Sequence, residues 1–184
     1  MDSNYLESVI KQFNYLKSLG DKTFAQLNDE DIHWKHNEYS NNIAIVTKHI
    51  VGNMLSRWTN FLTEDGEKDW RHRDSEFEDS YTTKAAMISA WEKGWKCLFD
   101  AITPLKEVNL KDIIYIRNEG HTVTEAINRQ LSHYSYHIGQ LVLLGTLIKG
   151  NDWKSLSVPK NQSETYNQKK FSQEKHRGHF TDDL

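Results

Sequence analysis

Apolar side chains recur at spacings of three and four in four segments of the chain, a period that places them on one face of an α-helix. The first segment carries such a stripe at Leu6, Val9, Phe13 and Leu16. Prolines, which interrupt helices, occur only twice in the sequence. The spacing predicts four helices, over residues 4–19, 41–62, 82–103 and 122–148.

Capping residues mark where these predicted helices begin and end. Asn4 is a candidate N-cap of the first helix, and Gly20 is a candidate for its end or for a bend. The alternative is an extension by another turn, since Phe24 and Leu27 continue the stripe. Ser40 or Asn41 is placed to cap the second helix. Gly150 follows the fourth helix as a C-terminal stop.

The remaining segments lack a helical period. The charged residues 63–80 predict a long loop, and loops of this length in compact domains are often functional. The run Ile-Ile-Tyr-Ile at 113–116 predicts a strand or an extended arm. Residues 156–184 are polar and predict a tail that wraps the helices or is partly disordered. We therefore predict an all-α fold, a four-helix bundle over residues 1–155, with a short extended element between its third and fourth helices.

Composition fits one folded domain and argues against several classes of protein. The chain has 184 residues, 37% of them hydrophobic, including six tryptophans, which is enough for a packed core. A net charge of -3 and a pI near 6.3 do not favour nucleic-acid binding. The N-terminus lacks the features of a secretory signal, and the apolar run 138–148 is too short to cross a membrane. Together with the single cysteine, these features predict a cytoplasmic protein that binds neither membranes nor nucleic acid.

Two histidines four residues apart, His133 and His137, lie on one face of the fourth predicted helix. Such a pair is able to hold one metal ion, although nine histidines produce this spacing by chance in many chains. The pair leads into an apolar run, where imidazoles without partners would be costly to bury. His49, between Val46 and Ile50 on the second helix, is the natural third ligand; the alternative is a hydrogen-bonded core histidine.

Three imidazoles leave coordination positions open, which is typical of catalytic and not of structural zinc sites. A metal ion in such a site lowers the pKa of bound water, or holds a thiolate or carbonyl. All-imidazole ligation suits several divalent transition metals. We expect Zn or Ni, with Fe as a further candidate.

Arg57 is the best candidate for a substrate-binding residue, since it lies two turns beyond His49 on the same helix and arginine suits carboxylate or phosphate. Arg71 and Arg73 follow in the charged loop. The alternative for all three is a surface or loop-bracing role. No activating base lies near Cys97 in the sequence. We therefore predict that Cys97 is a small buried hydrophobic residue and not a catalytic thiol.

A lone histidine on the second helix and the element His-x-x-x-His-x-Gly-Gln at 133–140 resemble the DinB-like (YfiT-like) superfamily. The resemblance covers most of the chain, through Ile148. The stretch Gly-Asn-x-x-Ser-Arg-Trp is the more specific element and resembles a subfamily of uncharacterised function. Similarity to that subfamily extends over residues 48–58, 65–68 and 73–77.

The resemblance implies a four-helix bundle, often dimeric, with a divalent metal on His49, His133 and His137. Some members of the superfamily are thiol-dependent S-transferases or isomerases that use low-molecular-weight thiols, in which the metal-bound thiolate attacks an electrophile. We therefore expect a metal-dependent transferase or hydrolase whose catalytic residues beyond the metal ligands are unknown. The alternative is a non-enzymatic, dimeric metal-binding scaffold or stress-response binding protein.

Overall fold

The computed structural model describes residues 4–182, which form a mainly helical protein with one small sheet. The predicted helical class is thereby confirmed in its broad form. Within the described residues, no helix has the length and apolar character that crossing a membrane requires. The helices are α1 (Tyr5–Phe24), α2 (Ile43–Trp58), α3 (Lys84–Ile102), α4 (Val123–Lys149) and α5 (Ser163–Phe171), and the strands are β1 (Ile113–Ile116) and β2 (Glu119–Thr122).

One core lies between the four long helices. Helix α2 packs against α3 and α4, and α1 packs against α4 and α3. Each helix contributes its apolar stripe to this core, and full burial of a large apolar side chain stabilises the fold by roughly 1.5–3 kcal/mol. The largest fully buried side chains in the core are aromatic: Phe13, Phe24, Trp91, Trp95 and Tyr134.

Helix α1 continues through Gly20 to Phe24, so it does not end at the glycine and includes the further turn that Phe24 indicated. A Cβ atom at Gly20 would lie 2.4 Å from Cζ2 of Trp91, and the missing side chain is what lets the indole pack against α1. The indole Nε1 of Trp91 also donates a hydrogen bond to Asp21 Oδ1, at 2.7 Å. Gly20 therefore allows α1 and α3 to pack closely against each other.

The caps of α2 and α4 differ in how well the sequence predicted them. Asn42, and not Ser40 or Asn41, caps α2: its Oδ1 accepts a hydrogen bond from the Ile45 N–H at 2.8 Å. Thr122 caps α4 in a capping box with Glu125. Helix α2 ends at Trp58, four residues before the predicted end at residue 62, because Thr59 is extended and Asn60 has a φ of 49°. At the other end of α4, Gly150 has a φ of 53°, as a stop residue should.

The run at 113–116 is strand β1, which pairs antiparallel with β2 in a hairpin. The two residues of its turn, Arg117 and Asn118, have φ values of 57° and 63°. Both donate backbone hydrogen bonds to the carboxylate of Asp65, each at 2.8 Å. The Gly66 N–H donates to the Tyr115 carbonyl at 2.8 Å. The charged loop is thus fastened to the hairpin by backbone groups.

The polar C-terminal segment contains α5 and then returns to α1. Lys11 forms an ion pair with Asp182 at 2.9 Å, and Phe180 meets the ring of Tyr15 edge-on, with 5.4 Å between ring centroids. The Lys154 N–H donates a hydrogen bond to the side chain of Gln26 at 2.8 Å. These contacts lie along α1, away from the histidines of α2 and α4.

Candidate metal centre

His49 from α2 meets His133 and His137 from α4 at one point between the two helices. The Nε2 atom of His133 lies 3.3 Å from Nε2 of His49 and 3.1 Å from Nε2 of His137. The candidate ligand atoms of all three imidazoles lie within 4.8 Å of one another. The structure therefore brings together the three histidines that the sequence singled out.

The other ring nitrogen of His49 is held by a carboxylate. Nδ1 of His49 lies 2.9 Å from Oε2 of Glu76, a buried side chain. Arg71 donates two hydrogen bonds to the same carboxylate, from Nε at 2.8 Å and from Nη2 at 3.0 Å. Burial opposes ionisation of Glu76, but His49 and Arg71 outweigh it and lower the pKa of the carboxyl group. An ionised carboxylate only accepts, so Nδ1 of His49 is the donor to Glu76, and Nε2 is the ring nitrogen that faces the other two histidines.

The two histidines of α4 each have a glutamine as the partner of Nδ1. Oε1 of Gln130 lies 3.3 Å from Nδ1 of His133, and Oε1 of Gln140 lies 2.8 Å from Nδ1 of His137. Each glutamine is three residues from its histidine, so the same helix supplies both. An oxygen on the outer nitrogen orients a ligand imidazole and fixes its tautomer, as is usual in protein metal sites.

The donor set fits a metal ion. With protons on the Nδ1 atoms, the Nε2 lone pairs of the three histidines face one another. The Nε2 atoms of His49 and His137 lie 3.3 Å and 3.1 Å from Nε2 of His133. Lone pairs facing one another repel, and a shared cation is what relieves the repulsion. Neutral imidazole nitrogen is a common ligand of divalent transition metals, and three of them leave positions for further ligands.

Burial and neighbouring charge disfavour protonation of the two histidines of α4. Desolvation, followed by His137, His49 and the arginines Arg57 and Arg71, lowers the pKa of His133 to about 3. Desolvation also lowers the pKa of His137, with Gln140 opposing the shift and His49 adding to it. Neutral imidazole is the form that binds a metal, so protons compete weakly for His133 and His137.

The charged loop supplies one wall of the site. A short 3-10 turn at Asp74–Phe77 points Glu76 inward, and Phe77 stacks on His49 with 5.2 Å between ring centroids and 26° between planes. The Lys48 ammonium donates to the Ser75 carbonyl and holds the turn against α2. The long loop is therefore part of the candidate site.

A polar cavity of about 200 Å³ opens beside His49 and His133. Arginines dominate its wall and come from α2, the charged loop, the hairpin turn and α4. Asn53 and Gln130 complete the lining. The five arginines are Arg57, Arg71, Arg73, Arg117 and Arg129.

Arg57, the predicted substrate-binding residue, lines this cavity and also braces the loop. Its guanidinium donates to the Gly66 carbonyl and forms an ion pair with Glu67 at 3.1 Å. Both sequence interpretations of Arg57 therefore describe part of its surroundings, and its role toward a substrate stays a prediction. Arg71 and Arg73 join it in the cavity wall.

Cys97 lies apart from the histidines, in a groove of about 590 Å³ between the end of α2 and α3. Cys97 is partly buried and packs against the core, and its thiol lies 3.5 Å from Thr59 Oγ1. No histidine lines this groove among the described residues. The larger cavity is thus not the one beside the candidate metal site.

Sequence reasoning missed several residues of the site. Gln130, like Gln140, lies three residues from a histidine of α4, a helical spacing that the sequence displays. Glu76 and Arg117 carry no comparable signal, because their places depend on how the loop and hairpin fold over the helices. Arg129 lies on α4 but is an exposed charged residue, which is common on helices without a functional role.

Comparison with known protein families gives one result. Residues 1–162 match the family described as a protein of unknown function, DUF1572, and the chain belongs to this family. The match includes all three histidines and all five cavity arginines. No curated protein and no solved structure shows a significant match to the chain.

Proposed function

We propose that this protein is a metal-dependent enzyme, with one divalent transition metal ion bound by Nε2 of His49, His133 and His137. The convergence of the three Nε2 atoms carries the proposal, because each outer nitrogen has an oxygen partner that turns the lone pair inward. The family is DinB-like, which supports a bundle of that type around the site.

A metal ion in this site would act as a Lewis acid and lower the pKa of a bound water or thiol. The chain's own residues prepare the site for that chemistry. Glu76, held by Arg71, fixes the orientation of His49. Phe77 covers one face of the same imidazole, and the arginine cavity gives a reactant access to the histidines.

The reaction class that we propose is thiol-dependent S-transfer or hydrolysis, with Zn or Ni as the metal and Fe as a further candidate. A low-molecular-weight thiol is the proposed cosubstrate in the first case. Three protein ligands support either reaction, since both need an open coordination position. We further propose a homodimer, and light scattering of the purified protein tests it.

Elemental analysis of protein purified without a histidine tag tests the metal site directly. We expect about one divalent ion per chain in the wild type and loss of the ion in His133→Ala. His72→Ala, which changes an exposed histidine of the loop, is the matched control and should retain the metal. Wild-type protein that binds no ion after incubation with Zn and Ni would contradict the proposal.

Activity assays then separate the enzyme from a metal-binding scaffold. Metal-loaded protein is assayed with a small thiol and an electrophile, and separately with ester and amide substrates. We expect turnover that His133→Ala abolishes and His72→Ala retains. A bound metal without turnover on either substrate class would favour the non-enzymatic alternative.

A further inference from the structure

Arginine is concentrated at one place in this molecule. Five of the six arginines in the sequence line the cavity beside His49 and His133, and the sixth, Arg177, lies in the C-terminal segment. Lysine is far commoner in the sequence, yet among residues 4–182 none lines this cavity. Lysine and arginine carry equal charge, so charge alone does not explain the selection. Arginine adds a planar fork that matches the oxygens of a carboxylate or a phosphate.

The acidic partners of these arginines are too few to neutralise them. Glu67 pairs with Arg57 at 3.1 Å, with Arg117 at 3.0 Å and with Arg71 at 3.5 Å. Glu76 pairs with Arg71 alone among the arginines, at 2.8 Å. Two carboxylates thus pair with three guanidinium groups, which leaves positive charge in excess.

The other two arginines of the cavity remain available. The side chains of Arg73 and Arg129 form no hydrogen bond or ion pair with residues 4–182, and both are exposed. Arg73 follows Arg71 in the loop, and Arg129 precedes Gln130 on α4. A ligand in the cavity would therefore meet two guanidinium groups with free donors.

Arg57 shows the same excess of positive charge at the buried end of the cavity. Its side chain is only 6% exposed, and its Nε–H has no hydrogen-bond partner. Burial first, then the charges of Arg71 and Arg117, lower the pKa of Arg57 despite the ion pair with Glu67. A bound anion would offer an acceptor to the unpaired Nε–H and would reduce the repulsion between the guanidinium groups.

We propose that this cavity binds a dianionic oxyanion group of the substrate or cosubstrate, either a phosphate or a pair of carboxylates, beside the metal centre. The proposal rests on the proposed function for the metal, while anion binding itself needs only the arginines. Two free guanidinium forks on opposite elements, the loop and α4, suit a group that carries two negative charges. The reacting part of the molecule would then extend toward the histidines.

Isothermal titration of chelator-treated, metal-free protein at low ionic strength tests the site. The probes are inorganic phosphate and malonate as dianions and acetate as a monoanion. The variants are Arg73→Gln, Arg129→Gln and the double variant. They change exposed side chains, so we expect the fold to be retained, and far-UV circular dichroism checks this. Arg177→Gln is the matched control outside the cavity.

We expect one dianion to bind more tightly than acetate, and the better of phosphate and malonate identifies the group. The double variant should weaken that binding by about tenfold or more, which is the size of effect expected for charge-assisted hydrogen bonds, while Arg177→Gln changes it less than about twofold. Added salt should weaken binding in the wild type.

Three results would overturn the anion site. They are acetate binding as tightly as the dianions, equal weakening by Arg177→Gln and the double variant, and the absence of arginine-dependent binding in metal-free protein. The metal proposal is tested separately, by elemental analysis, and it fails if the wild-type protein binds no ion. Arginine-dependent phosphate binding by a protein that holds no metal would leave the anion site standing and remove the metalloenzyme.

Discussion

The carboxylate of Glu76 lies directly against the backbone of Gly52: a Cβ atom on Gly52 would be 2.2 Å from Glu76 Oε1. Gly52 lies three residues after His49, on the same face of α2. The missing side chain therefore makes room for the group that orients His49. It gives a physical role to the glycine of the Gly-Asn-x-x-Ser-Arg-Trp element.

Replacement Gly52→Ala should displace Glu76 and weaken metal binding while α2 remains helical. Loss of a group that orients a metal ligand typically costs about 10–100-fold in affinity. Competition with a chromogenic chelator measures the affinity for Zn, and far-UV circular dichroism measures the helix content.

Gly139→Ala is the control for this prediction. Gly139 also lies in a helix beside a site histidine, but a Cβ there would meet no atom within 4 Å. Alanine favours a helix interior by up to about 1 kcal/mol over glycine, so this variant should be as stable as the wild type or more so. Equal Zn affinity in the two alanine variants would show that Glu76 does not support the site.

Tyr134→Phe should lower the free energy of unfolding by about 1–3 kcal/mol, because it leaves buried polar groups without partners. The Tyr134 hydroxyl is fully buried, donates to Asn53 Oδ1 at 3.0 Å and accepts from Trp58 Nε1 at 3.1 Å. Urea denaturation measures the change. Tyr136→Phe, at an exposed position two residues along α4, should change stability by less than about 0.5 kcal/mol. Equal effects of the two changes would contradict a structural role for the buried hydroxyl.

Asp65→Asn should destabilise the protein by about 1–3 kcal/mol at pH 7, and the loss should shrink in acid. Partial burial opposes ionisation of Asp65, but backbone donors from Asn118, Glu67 and Arg117, with the charge of Arg57, lower its pKa. A lowered pKa means that this carboxylate stabilises the fold above its unfolded-state pKa of about 3.9, and that the stabilisation disappears as the pH falls through the folded-state value.

Urea denaturation of the wild type and Asp65→Asn, from pH 7 down to pH 3, measures this dependence. Asp69→Asn changes an exposed carboxylate of the same loop and should have little effect at any pH. A wild-type advantage over Asp65→Asn that stays constant down to pH 3 would show that the ionised carboxylate is not what fastens the loop to the hairpin.

The sequence predicted the helices well because their signal is local. A period of three and four residues places apolar side chains on one face, and each of the four predicted segments overlaps a long helix of the structure. The errors lie at the ends of these helices and in the polar C-terminal segment, where the short helix α5 was not predicted. Glycine is typical of a helix end, but Gly20 lies inside α1 and packs against Trp91. Asn42 caps α2, and its side chain also donates a hydrogen bond to Asp79.

The metal candidate was partly visible in the sequence. His133 and His137 share a helix, so their spacing alone places them together, and their glutamine partners follow the same rule. His49 lies on another helix, and only the apolar residues beside it and the family resemblance pointed to it. The distance between His49 and His133 is decided by how α2 packs against α4.

The sequence offered Arg57, Arg71 and Arg73 as candidates, but the assembly of the arginine cavity was decided by tertiary structure. Glu76, Arg71, Arg73 and Arg117 lie in segments with no regular period, on a loop and a hairpin turn that fold over the helices. Asp65 fastens the loop to the turn through backbone N–H groups, and any sequence offers such groups. The sequence by itself therefore determined the helices and the histidine pair, since both follow from local periodicity. Only the packing of loop, hairpin and helices brought five arginines to one cavity, since those contacts join residues far apart in the chain.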